Sequence, residues 1–193
     1  MPFHAAYQLP IEALDIVVVD DIQSMRQIFH SVLMAFGVRR LRFYANGRAA
    51  LNEMVNDPPN MLITDWHMKP MDGVQLLRNI RKAEMMPLSL LTVIMVTGFA
   101  SRSLVQDCFD AGVQQFLVKP ISPKSVYERI QWILRDSRPL VRRGGGYVIG
   151  SPVTAPVAGE DDGIDFLDLA GPAPDAAEEP DEFAAMAANH WQI

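Results

Sequence analysis

Residues 16–26 read IVVVDDIQSMR: four β-branched apolar residues in a row, two acids, and then the start of a segment with helical periodicity. An unbroken apolar run of this kind is a strand buried on both faces. The acids stand where it ends. Met25, Ile28, Val32 and Phe36 follow at intervals of three or four, the spacing of one helix face.

The rest of the folded region alternates in the same way. Leu41 to Tyr44, Met61 to Thr64, Leu91 to Val96 and Gln115 to Val118 are further short apolar runs and candidate strands. Helical spacing fills the intervals, through Ala50, Met54 and Val55, then Val74, Leu77 and Ile80, then Leu104, Val105, Cys108 and Phe109. Val126, Ile130 and Ile133 continue it after the last strand. Ser24, Asn46, Ser101 and Ser122 are placed as N-caps, Pro123 suits a first helical position, and Gly37 and Gly112 can end helices at positive φ. Five strand–helix alternations predict a doubly wound α/β fold with a five-stranded parallel sheet and right-handed crossovers.

The 193-residue chain is 49% apolar, enough for one ordinary domain with an extension. Its formal charge of −6 is unevenly spread: from Gly144 onward there are ten acids and no Lys or Arg, so all seventeen bases and thirteen acids lie before it. A weakly basic body with no clustering of bases on one face does not read as a DNA-binding protein. The longest apolar run, Leu90 to Val96 interrupted only by Thr92, is too short to insert across a membrane, and Met1 to Pro10 lacks the pattern of a signal peptide. With Cys108 alone and unable to form an intramolecular disulfide, the composition predicts a cytoplasmic protein.

From Arg138 the periodic pattern stops. Gly144, Gly145 and Gly146 run together, and beyond them Pro, Ala, Gly, Asp and Glu dominate, a composition that buries too little apolar surface to offset its ordering entropy. The expected division is an N-terminal arm over 1–12, a folded domain over 13–138 and a disordered acidic tail over 139–193. Two islands in the tail, Ile164 to Leu169 and Phe183 to Trp191, have the residues to become short helices on a partner.

In a doubly wound sheet, ligands gather at the carboxyl ends of the strands, where the strand order reverses. Asp20 and Asp21 close the first predicted strand, Asp65 the third, Thr97 the fourth and Lys119 the fifth. Three converging carboxylates would repel and push one pKa upward, whereas a hard divalent cation resolves the conflict by oxygen coordination, and Mg2+ is the economical choice. Asp65 then offers a nucleophilic carboxylate able to become an acyl phosphate, with the metal and the Lys119 ammonium neutralising the phosphoryl oxygens. Thr97 can donate its hydroxyl to the same group. The backbone carbonyl of His67, two residues after Asp65, is placed to complete the metal shell.

These residues, with Pro120 after Lys119, resemble the receiver domains of two-component response regulators, the chemotaxis type in particular. Asp20-Asp21-Ile22-Gln23-Ser24-Met25-Arg26 is similar to the first loop and helix start of that family, and Met68-Lys69-Pro70-Met71-Asp72-Gly73 to the loop after its phosphorylated aspartate. The likeness covers residues 13–138. One acid pair alone is ordinarily a turn or a cap, but five positions in order at the ends of four strands make a specific signal.

The resemblance implies a flavodoxin-like receiver fold and phosphorylation of Asp65 by a histidine kinase or a histidine phosphotransfer protein. It implies Mg2+ on Asp20, Asp21, Asp65 and the His67 carbonyl, and a cis Lys119-Pro120 peptide that aims the lysine into the site. It also implies a switch: Thr97 moves toward the phosphoryl group and Phe116 rotates inward behind it. That would alter the face of the fourth helix, fifth strand and fifth helix, and with it affinity for a downstream protein. His67 and Phe99, two residues after Asp65 and Thr97, are the positions that tune the lifetime of the phosphoryl group, Phe99 by shielding it from water and His67 as a base.

A phosphohydrolase of haloacid dehalogenase type also uses a strand-end Asp with magnesium, but it wants a second acid where this chain has His67. The expectation is therefore a signalling protein acting by protein contact, not an enzyme. The groups Arg39, Arg40 and Arg42, and Arg138, Arg142 and Arg143, read as solvated charge. A sharper alternative for the second group is an anionic second messenger such as a cyclic dinucleotide.

Overall fold

The structure, a computed structural model, describes residues 3–98 and 108–150. The strand runs form β1 (Asp15–Val19), β2 (Arg40–Tyr44), β3 (Met61–Asp65), β4 (Thr92–Thr97) and β5 (Gln115–Val118), each within one residue of its expected bounds. The helices are α1 (Gln23–Ala35), α2 (Gly47–Asn56), α3 (Gly73–Ile80) and α4 (Pro123–Arg135), the last being the fifth that the sequence predicts. Of the predicted fourth helix, residues 108–110 are helical, while Leu104, Val105 and the expected cap Ser101 lie outside the described residues.

The five strands make one parallel sheet in the order β2-β1-β3-β4-β5. β2 and β3 flank β1 on opposite sides, so the order reverses at β1 and β3. Successive strand side chains alternate between faces. Ile16, Val18, Ile63, Ile94, Val96 and Leu117 pack on one face with Phe29 and Leu33 of α1 and Val126, Ile130 and Ile133 of α4. Val17, Val19, Leu62, Val93 and Met95 pack on the other with Met54 of α2 and Leu76, Leu77 and Ile80 of α3. Cover on both faces is why β1, β3 and β4 are buried at every residue and read as continuous rather than alternating runs.

Most helix ends follow the sequence. Asn46 accepts the Ala49 N–H, Ser122 forms a capping box with Ser125 ahead of Pro123, and Gly37 and Gly112 have φ of +84° and +92°. Ser24 does not cap α1, which begins two residues earlier than such a cap would allow, at Gln23 behind Ile22; Asp20 Oδ1 takes the Ile22 N–H instead. Asp72 is an unforeseen cap, accepting the Gln75 N–H at the start of α3. Ile28 and Val55, counted on buried faces, are 44% and 52% exposed, because the buried stripe of α1 runs through Phe29 and Leu33 and that of α2 through Ala50 and Met54.

Residues before β1 are knitted into the same core. His4 is buried; its Nε2 lies 3.0 Å from the Asp136 carbonyl, which can only accept, so Nδ1 is left to accept the Thr92 hydroxyl at 2.9 Å. Ala5 N–H donates to Leu90 O and Gln8 N–H to Leu134 O.

The C-terminal end corrects the expectation that flexible tail begins at residue 139. β6 (Leu140–Arg143) and β7 (Gly146–Ile149) form an antiparallel hairpin with Gly144 at φ +61° in its turn. Tyr147 N–H donates to Arg81 O and Ala83 N–H to Gly145 O, both at 2.9 Å, and a Cβ on Gly146 would meet Arg81 O at 2.8 Å. The glycine run thus serves a turn and a close backbone approach. Residues 151–193, with both apolar islands, lie outside the described residues.

The arginine clusters are also more than solvated charge. Arg40 and Arg42 pair with Asp15 and Asp57, and Arg138 pairs with Asp136 at 2.8 Å while lying 4.8 Å over the Trp132 ring. Among the described residues no helix is long and apolar enough to cross a membrane.

Arg81, just past α3, is buried beneath the hairpin. Its guanidinium donates to Gly112 O, Ser89 O, Leu91 O and the Gln114 side-chain oxygen, all neutral acceptors. Burial lowers its pKa to about 9, which still leaves it charged at neutral pH. It joins the end of α3 to the starts of β4 and β5. Arg81→Met would fill similar space but leave buried carbonyls without donors, at about 1–3 kcal/mol each. The expected loss is about 3 kcal/mol or more in urea unfolding of the full chain. A loss below about 1 kcal/mol would mean that these bonds are replaceable.

Candidate functional site at the strand ends

The alternation that builds the core also aims the site. Asp20 lies two residues after Val18, Asp65 two after Ile63, and Lys119 two after Leu117, all core residues of the same sheet face. Their side chains therefore leave the strand ends toward one side. Lys119 has the reach to cross the end of β4. Its Nζ stands 2.6 Å from Asp65 Oδ1 and 3.1 Å from Asp20 Oδ2.

The backbone fixes both carboxylates and the lysine. Asp65 Oδ2 accepts the His67 N–H at 2.9 Å, and Asp20 Oδ1 accepts the Ile22 N–H at 2.8 Å. Arg26 donates to the Asp20 carbonyl oxygen. The buried Thr97 at the end of β4 holds the Lys119 N–H on its carbonyl at 2.8 Å. The Lys119-Pro120 peptide is cis, as the resemblance implies, and so are Lys69-Pro70 and Met86-Pro87.

One glycine sets how tightly the loop after Asp65 closes. Gly73 N–H donates to Trp66 O at 3.0 Å, and a Cβ at Gly73 would collide with the Asp65 carbonyl oxygen and stand 2.8 Å from Met95 Sδ. Only a residue without a side chain lets α3 begin there. This constraint was not drawn from the sequence, although Gly73 ends the loop that carries the family resemblance.

The charges at the site are out of balance. Burial pushes the Asp20 carboxyl above its ordinary pKa, and the Ile22 N–H and the Lys119 ammonium only partly offset this. Burial alone would lower the Lys119 pKa, but the bonds and charges of Asp65 and Asp20 outweigh it and hold the ammonium above its usual value. The acid thus behaves as desolvation dictates and the base as its partners dictate. Two carboxylates share one ammonium.

The expected convergence of three carboxylates is a pair in this structure. Asp21 is exposed, the Lys119 ammonium stands between Asp20 and Asp65, and among the described residues no three His, Cys, Asp or Glu side chains gather as a metal-ligating group. The His67 N–H donates to Asp65 Oδ2. The donor set nevertheless fits a hard divalent cation, because it is made of oxygens and carries excess negative charge.

Of the remaining sequence-predicted residues, two are described. Phe116 is half-buried on the opposite sheet face, its ring 5.2 Å from Phe109 at 68°. The His67 side chain is exposed, its ring 6.1 Å from that of Trp66, and Phe99 lies outside the described residues.

A profile of the family described as response regulator receiver domain matches residues 16–131. Chemotaxis protein CheY-3 of Vibrio cholerae is 32% identical over 120 residues, which are 62% of this chain and 91% of the relative. Chemotaxis protein CheY of Pseudomonas aeruginosa is 34% identical over 120 residues, 62% of this chain and 95% of the relative. Among solved structures, chemotaxis response regulator CheY4 of Vibrio cholerae is similar with a TM-score of 0.58 and 26% identity, covering 63% of this chain and 98% of that one.

The raised Asp20 pKa carries a sign for stability. Its charged form is disfavoured by folding, so the penalty is fully present above the folded-state pKa and vanishes below the ordinary value of 3.8. Asp20→Asn is expected to raise the urea midpoint at pH 7, and the gain should shrink as pH falls through the raised pKa. A variant less stable than wild type at pH 7 would mean that the bond to Lys119 outweighs burial.

Proposed function

The chain belongs to the response-regulator receiver family, and from that membership we propose that Asp65 is the carboxylate on which it accepts its phosphoryl group. Chains of this family accept phosphoryl groups and signal by protein contact, and this one is of the chemotaxis type. The observation that carries the assignment is the Lys119 ammonium 2.6 Å from Asp65 Oδ1, at the strand end where the order reverses. The unit that does this runs from the N-terminal arm through the hairpin.

The donor is a phosphohistidine on a histidine kinase or a histidine phosphotransfer protein, which places the chain in the cytoplasm. A carboxylate oxygen of Asp65 forms its bond to phosphorus as the nitrogen–phosphorus bond breaks, and the departing imidazole nitrogen keeps the electron pair. Lys119 transfers its hydrogen bonds from carboxylate to phosphoryl oxygens, and the Thr97 hydroxyl donates to the same group. Asp20, Asp21 and Asp65 with the His67 carbonyl would hold Mg2+, which supplies further positive charge beside those oxygens. The His67 side chain, exposed beside Asp65, and Phe99 set the lifetime of the product.

Output is a change in a surface rather than turnover of a substrate. Phe116 packs edge-on to Phe109, so a rotation of its ring would alter the packing of the helical segment that ends near residue 110. A downstream protein would read that change on the face made by this segment, β5 and α4.

The chain incubated with acetyl phosphate and Mg2+ should take up about one phosphoryl group per molecule, the stoichiometry of a single acceptor. Asp65→Asn should take up none while keeping its circular dichroism. Lys119→Met should lose phosphorylation-dependent partner binding. Label mapped to Asp20 or Asp21, or continuous release of phosphate without accumulation, would sink the assignment.

A further inference from the structure

Asp21 is the exposed member of the acidic pair after β1, and its side chain makes no hydrogen bond or ion pair among the described residues. Nothing holds its carboxylate directly, so only the backbone on either side can place it. On one side stands the carbonyl of Asp20, on the other that of Ile22. Arg26 binds both: its guanidinium donates to Asp20 O, and its N–H donates to Ile22 O at 3.2 Å. The Ile22 N–H is on Asp20 Oδ1 and the Asp20 N–H on Tyr44 O, so Asp21 hangs between two fastened residues.

The bond from the Arg26 N–H is one that any residue of a helix makes, whereas the guanidinium bond is particular to this side chain. Helix energetics do not account for it. A cation in the first turn meets the positive end of the helix dipole, which disfavours it. α1 has no acid in that turn and no side-chain cap, and Arg26 is in no ion pair among the described residues. What explains a half-buried guanidinium there is the group it holds, the carbonyl of the buried Asp20. A buried carbonyl without a donor is costly, and among the described residues no backbone N–H donates to Asp20 O.

We propose that Arg26 is a positioning residue for the divalent cation: by fixing the two peptide carbonyls that flank Asp21, it presents that carboxylate to the ion alongside Asp20 and Asp65. Arg26 itself touches neither the ion nor the phosphoryl group. This role rests on the assignment of Asp65 and its Mg2+. Removing a group one step out from the ligands of a metal typically costs roughly 10–100-fold in affinity, because the ligands lose their orientation.

The test is titration of the full chain with Mg2+, read by NMR at the backbone amides of Asp21 and His67. Arg26→Met and Arg26→Gln, one apolar and the other too short to reach Asp20 O, should each weaken Mg2+ about tenfold. Either variant decides the matter if the other fails to fold. Arg26→Lys, whose ammonium keeps the reach and the charge, should recover most of the affinity. In an Asp21→Ala background the further change Arg26→Met should cost little, because the carboxylate that it positions is gone. Wild-type affinity in Arg26→Met or Arg26→Gln, a loss in Arg26→Lys as large as in Arg26→Met, or the full loss persisting in the Asp21→Ala background overturns the proposal. A wild type with no saturable shifts at Asp21 and His67 overturns the metal site as well, so the two readings fail by different results.

Discussion

One ammonium shared by two carboxylates from different strands governs how this molecule is built. For Lys119 to touch both Asp20 and Asp65, β1, β3 and β5 must run parallel with their ends level, and β4 must lie between the last two. Each of the three residues must also keep its parity with the core residue two positions earlier. A slip of one residue in any strand would turn its side chain to the other face of the sheet. The apolar core and the polar site therefore impose one register, the core by burial and the site by charge. They disagree only at Asp20, where the position suits an anion and the surroundings do not.

That shared register explains why so much was legible from sequence. IVVVDD carries both the buried strand and the acids that must follow it, and the same logic puts Asp65 after MLIT and Lys119 after QFLV. Local capping was legible where the side chain had a near partner, as at Asn46 and Ser122. It failed at Ser24, because Asp20 is tied to the backbone there and the first turn starts early. Which acids stand together at the strand ends was less legible: order along the chain brings Asp20 and Asp21 to one place but says nothing of which of two neighbours faces inward.

The hairpin was missed for a different reason. Composition arguments sum over a window, and β6 and β7 are each four residues long beside three glycines. What orders them is not their own content but a distant backbone group, the Arg81 carbonyl that receives the Tyr147 N–H. Arg81 itself gave no signal, since a single arginine in a polar stretch after a helix reads as surface. Its burial depends on carbonyls from Ser89, Leu91 and Gly112, which no local pattern brings together. Long-range pairing of backbone groups is the part of a fold that a single sequence discloses least.

The N-terminal arm and the hairpin are both fastened where the strands begin: His4 at Thr92, and Tyr147 through Arg81 to the carbonyls of Leu91 and Gly112. At about 3.3 Å per residue, the length of β4 puts those fastenings roughly 16 Å from the level of Thr97. Both ends of the described body are thus gathered on the side turned away from Asp65. A domain grafted before residue 3 or after residue 150 would leave from that side, and the approach to the carboxylates would remain open to whatever protein docks there.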